Sequence, residues 1–122
     1  MAVREQKHQG SPTINEVSEL AKEDAVALLR AEASYGDSWR KRGGVGAYMM
    51  LARKWDRLEL QVEQHGYDVF KAIAEDPRQE GIIDDIRDLR RYLFLVEAWC
   101  QLNGEILSHE INREPIDPTE DS

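Results

Sequence analysis

The chain has 122 residues and a single cysteine, Cys100, which excludes a disulfide framework and any cysteine-rich zinc site. No segment approaches the roughly 18 consecutive apolar residues of a membrane-spanning helix. The polar opening MAVREQKHQG lacks the apolar stretch of a signal peptide. Basic residues are the minority: 16 Lys+Arg against 24 Asp+Glu leave a net charge of −8. A general nucleic-acid binder would carry the opposite surplus. No run alternates with period two for long enough to be a strand, and no internal repeat is present. The expectation from these absences is a soluble, cytoplasmic chain with no membrane or nucleic-acid partner. Its length suits one compact domain.

What is present is helical periodicity. Residues 1–13 show none and read as a flexible N-terminal arm. A first helix is expected from about Ile14 to Ser34, with Ile14, Val17, Ala21, Ala25 and Leu28 at helical spacings and Thr13 or Asn15 as cap. Gly36 ends it. A second helix, about Val45 to His65, carries Tyr48, Leu51, Trp55, Leu58 and Val62 as its apolar stripe. A short helix from Tyr67 to Glu75 stops at Asp76-Pro77. The last helix, about Gly81 to Leu107, has two adjacent stripes: Ile82, Ile86, Leu89, Leu93, Val96 and Cys100, and beside them Tyr92, Leu95, Trp99 and Ile106. At about 100° per residue they cover roughly 200° of the wheel, so this helix packs on two sides or lies in an oligomer interface. Cys100 is expected as a small core residue. The tail 112–122, with two prolines and four acids, reads as disordered. The class is all-α, a compact bundle of about four helices over residues 14–111.

Most of the acids decorate outer faces, as with Glu16, Glu19, Glu23 and Asp24 of the first helix. A few fall inside apolar arcs. On the last helix Asp85 and Asp88 lie between the two stripes, with Asp84 at the margin, while Arg87, Arg90 and Arg91 face outward. On the second helix Glu59 falls inside the apolar arc, with Asp56 and Glu63 at its edge and Lys54 and Arg57 on the other margin. A buried charge must be neutralised, paired or bound to a cation. Facing helices presenting Asp56 and Glu59 opposite Asp84, Asp85 and Asp88 would offer hard oxygen ligands suited to Mg²⁺ or Mn²⁺. Alternatively, Lys54 and Arg57 pair with Asp85 and Asp88 in an ion-pair network without a metal.

Other chemistries have little support. His8, His65 and His109 lack a partner spacing and are expected at the surface. The Gly43-Gly44-Val45-Gly46 stretch follows no strand and has no Gly-Lys-Ser/Thr ending, which excludes a P-loop; it suits a flexible turn or an anion-friendly helix start. No nucleophile–His–acid set is apparent. Tyr35 and Trp39 flank the densest basic run, Arg40-Lys41-Arg42, and could stack on a base with the cations near phosphates; alternatively Trp39 packs the loop onto the bundle.

The pairs Asp56-x-x-Glu59 and Asp85-x-x-Asp88 resemble the E-x-x-E … E-x-x-D signature of the MazG-like all-α NTP pyrophosphohydrolase superfamily, with Asp in place of the first Glu of each pair. Within that group the chain is most similar to the phage and bacterial nucleotide-modification-associated domain, through Tyr35-Gly36-Asp37-Ser38-Trp39, Lys54-Trp55-Asp56-Arg57-Leu58, and Glu80, Asp84, Asp88 and Tyr92 at fours. The likeness spans about residues 30–95. The two alignments differ over whether Asp85 or Asp84 pairs with Asp88. The resemblance implies Mg²⁺-dependent cleavage of a nucleoside triphosphate to the monophosphate and pyrophosphate. It implies metal ligation by acids among Asp56, Glu59, Glu80, Asp84, Asp85 and Asp88, with Glu59 and Asp88 catalytic. Lys54, Arg57, Arg40 and Arg42 would balance the polyphosphate, and Trp39, Tyr35 or Tyr92 would contact the base or sugar. It also implies a homodimer or homotetramer. The alternative is a non-catalytic helical protein that binds a nucleotide or a partner and has a degenerate metal site.

Overall fold

The computed structural model describes residues 10–79, 81–105, 107 and 108. The arm up to residue 9, Glu80, Ile106, His109 and the acidic tail lie outside the described residues, as does His8. The fold is all-α. Its elements are α1 (Pro12–Tyr35), a 3-10 turn (Ser38–Arg40), α2 (Gly43–Glu63), α3 (Val69–Glu75) and α4 (Ile82–Leu102), with no strand among the described residues. No helix is long and apolar enough to cross a membrane, among the described residues. The chain divides into two compact units at Gly46/Ala47.

In the first unit α1 begins earlier than its periodicity suggested. Ser11, not Thr13 or Asn15, is the N-cap: its Oγ accepts the Ile14 N–H at 3.3 Å. Pro12 follows at the first helical position, where its missing N–H costs nothing. Gly36 terminates the helix at φ 61°, a conformation that costs an L side chain energy, and its N–H reaches Glu32 O at 2.8 Å. Asp24, expected as surface decoration, is 1% exposed and has an interaction partner. Gly43, Gly44 and Gly46 form the first turn of α2 rather than a free loop.

In the second unit α2, α3 and α4 meet around Leu58, Ala72 and Ile82, with Val62, Ile73 and Ile86 packed against them. Burying a side chain such as Ile82 contributes about 2 kcal/mol. Asp68 caps α3 by accepting the N–H groups of Phe70 and Lys71, each at 3.1 Å. The buried side of α2 is rotated from the expected stripe. Lys54, Leu58, Gln61 and Val62 turn inward, while Tyr48 is 65% and Trp55 52% exposed. The large aromatics of this helix mark its flank, and Leu58 and Val62 of the expected stripe are the residues that reach the core.

α4 is buried unevenly. Its N-terminal turns carry Ile82 and Asp85 into the core, whereas Leu93, Phe94, Cys100 and Leu102 near its C-terminal end are exposed. Cys100 is therefore not a core residue, because the core sits at the other end of the helix. Arg87, Arg90 and Arg91, expected to face outward, are half-buried.

Candidate functional site

The polar feature of the second unit is a chain of alternating charges at the N-terminal end of α4. Asp76, at the end of α3, folds back over the connection. Its Oδ1 accepts the Arg78 N–H at 3.0 Å and Arg78 Nε at 3.1 Å, and its Oδ2 accepts Arg78 Nη2 at 3.2 Å. The same Oδ2 accepts the N–H of Ile82, the first residue of α4, at 2.6 Å. An aspartate that accepts the N–H two residues on, across a proline, is an Asx turn. Here it also satisfies an orphan donor of the next helix. The Arg78 guanidinium and the N–H donors of Arg78 and Ile82 hold the Asp76 carboxyl at about 2, below the usual 3.8. Asp76 in turn raises Arg78 further.

Arg78 passes the chain on. Its Nη2 lies 3.4 Å from Asp85 Oδ2, and Arg57 Nη2 from α2 lies 3.3 Å from Asp85 Oδ1. Asp85 stands in the first turn of α4 with a side chain 2% exposed. The helix dipole adds to the stabilisation of a carboxylate at that position. One turn on, Asp88 Oδ2 takes Lys54 Nζ from α2 at 3.1 Å. Asp84 pairs with Arg87 on its own helix. No buried side-chain nitrogen or oxygen lacks a hydrogen-bond partner, among the described residues.

Asp85 is thus inside the packed side, as its wheel position implied, and Asp84 lies at the margin. Lys54 and Arg57 meet Asp88 and Asp85, the pairing that the ion-pair alternative foresaw. Asp56 and Glu59 do not join them. Both are exposed, because α2 turns Lys54 and Leu58 inward instead. Tyr92 is half-buried on α4. Tyr35, Trp39, Arg40 and Arg42 belong to the first unit. Tyr35 and Arg42 are exposed, Trp39 is half-buried in the 3-10 turn, and Arg40 pairs with Asp37 at 2.8 Å. His65 is not a free surface group: Nδ1 lies 2.9 Å from Gln61 O and Nε2 3.4 Å from Glu75 Oε1.

Sequence reasoning missed Asp76, Arg78 and Gly81. The Asp-Pro dipeptide was read only as a helix stop, although it is also the signal for an Asx turn. A Cβ on Gly81 would collide with the Asp76 carboxylate, so the glycine keeps room for that turn.

No family model, curated protein or solved structure matches this chain. The reading of the site therefore rests on its own residues.

Among the described residues no three acidic, histidine or cysteine side chains converge on one point. Asp85 and Asp88 stand three apart on α4, and each is already paired with basic side chains, Asp85 with Arg57 and Arg78 and Asp88 with Lys54.

Proposed function

We propose that the chain is a Mg²⁺-dependent nucleotide pyrophosphohydrolase, in which water cleaves a nucleoside triphosphate to the monophosphate and pyrophosphate. The observation that carries this reading is the pair of bridges from α2 to α4, Lys54–Asp88 and Arg57–Asp85. They bring basic side chains and carboxylates side by side, the two kinds of group that a polyphosphate and its cation would need. Asp85 and Asp88 would hold the cation, which supplies charge neutralisation at the phosphate oxygens and an activated water. Lys54 and Arg57, released from those carboxylates, would turn to phosphate oxygens. Arg57 offers a bidentate fork and Lys54 a point charge. Each charge exchanges one opposite partner for another, so no ion is left unpaired during the switch. The half-buried Tyr92, one turn beyond Asp88, would contact the base or sugar. This reading locates the protein in the cytoplasm.

The test is a panel of nucleoside triphosphates assayed with Mg²⁺ for pyrophosphate release, with Asp88→Asn as the control. Asp88 is half-exposed, so the variant should keep its helical circular dichroism while losing turnover by about 10²-fold or more.

One observation favours a second reading. Asp85 is fully buried and satisfied by both Arg57 and Arg78, as a structural clasp would be. In that reading the chain is a non-catalytic helical protein that binds a nucleotide or a partner. Equilibrium dialysis beside the release assay separates the two: nucleotide binding without pyrophosphate release supports the second.

A further inference from the structure

The face of α2 turned away from the core has its own order. Met49, Arg53, Asp56 and Leu60 follow at spacings of four, three and four, which at about 100° per residue places them on one line along the helix. All four are exposed, Met49 by 50% and Leu60 by 55%. Neither Arg53 nor Asp56 makes an ion pair among the described residues, although Lys54 and Arg57 beside them do. The line reads apolar, basic, acidic, apolar, and it is the same read from either end with the charge signs exchanged.

Two helices that cross antiparallel about a two-fold axis match residues whose numbers have a constant sum. Met49 with Leu60 and Arg53 with Asp56 give the same sum, so one register satisfies all four positions at once. Each copy's Met49 meets the other's Leu60, and each Arg53 meets the other's Asp56. An isologous interface requires this self-complementarity, and it arises here on a surface where no ion pair among the described residues accounts for the charges. Ala52, half-buried beside the line, is small enough to let two backbones approach.

We infer that the outward face of α2 is an interface with a second copy of this chain, an antiparallel α2–α2 contact centred between Lys54 and Trp55 and fastened by reciprocal Arg53–Asp56 pairs. Apolar Met49–Leu60 contacts close both ends. The contact line spans about 16 Å of helix. The contact is independent of the proposed function, since it uses none of Lys54, Arg57, Asp85, Asp88 and Tyr92, and Asp56, a ligand candidate by resemblance, is exposed and apart from that cluster.

Charge reversal tests it. Arg53→Asp places like charges opposite each other at both symmetry-related pairs, as does Asp56→Arg, and the double variant restores attraction with the signs exchanged. Sedimentation equilibrium of the full chain should show a dimer. Its dissociation constant should rise about tenfold or more in either single variant and return toward the original value in the double. Circular dichroism of each variant checks that the exposed substitutions leave the helices intact. In a Cys100→Ser background, a mixture of Met49→Cys and Leu60→Cys chains should form an intermolecular disulfide, and neither chain alone should do so. A chain that stays monomeric throughout the concentration range overturns the inference, since the face is then solvated or covered within one copy. So does a dimer that charge reversal leaves unchanged, which would use another face.

Discussion

Asp76 and Gly81 make a local device whose consequences are measurable. Asp76 titrates near 2 in the folded chain against an ordinary 3.8, so between those values the folded state binds fewer protons than the unfolded one. The stability that Asp76 contributes is complete above about pH 4 and fades as the pH falls toward 2. Asp76→Asn should therefore lower Tm at neutral pH, and the gap to the parent should narrow on acidification; a gap constant from pH 7 to 2 would contradict the assignment. Gly81→Ala forces the Asp76 carboxylate out of its place and should cost about 1–3 kcal/mol by chemical denaturation. In an Asp76→Ala background the clash is gone, so the second substitution should cost clearly less, a coupling that a double-mutant cycle reads directly. The backbone of Gly81 is extended, so the cost arises from the contact and not from its dihedrals.

The helices show what a sequence can and cannot reveal. Their number, type and order followed from apolar spacing, Gly36 and the Asp76-Pro77 stop, because each of these acts locally. Helix rotation did not follow so readily. Tyr48 and Trp55 are the largest apolar residues of α2 and drew its predicted stripe toward themselves, yet the core is set by what α3 and α4 offer, and that is the side of Leu58 and Lys54. The rotation takes Glu59 out of the apolar arc in which the spacing put it and leaves it exposed. On α4 the same reasoning succeeded at Asp85, since two stripes bracketed it on both sides. Its burial makes a prediction at this level: Asp85→Asn leaves the guanidiniums of Arg57 and Arg78 facing each other without their shared anion. That should destabilise the packing of α4 on α2 by about 2 kcal/mol, seen as a lower denaturation midpoint with little change in slope.

Taken together, the chain uses its acidic surplus in two ways. Much of it solvates α1, where Glu16, Glu19 and Glu23 are exposed. A smaller part is paired with a few cations, in the sequence Asp76, Arg78, Asp85, Arg57, with Lys54–Asp88 beside it. The residue types of this cluster were legible in the sequence at Lys54, Arg57, Asp85 and Asp88. The partners contributed by the α3–α4 connection were not, because a turn stabilised by one side chain leaves no periodic trace. Such a balanced cluster is what a site needs if it is to take up a cation and a polyphosphate together without stranding a charge. The measurement that bears most directly on this account is pyrophosphate release from the nucleoside triphosphate panel, with and without Mg²⁺, for the parent chain and for Asp88→Asn. The account predicts Mg²⁺-dependent release from at least one triphosphate and its loss in the folded variant. Release from none of them, or turnover unchanged in Asp88→Asn, would contradict it.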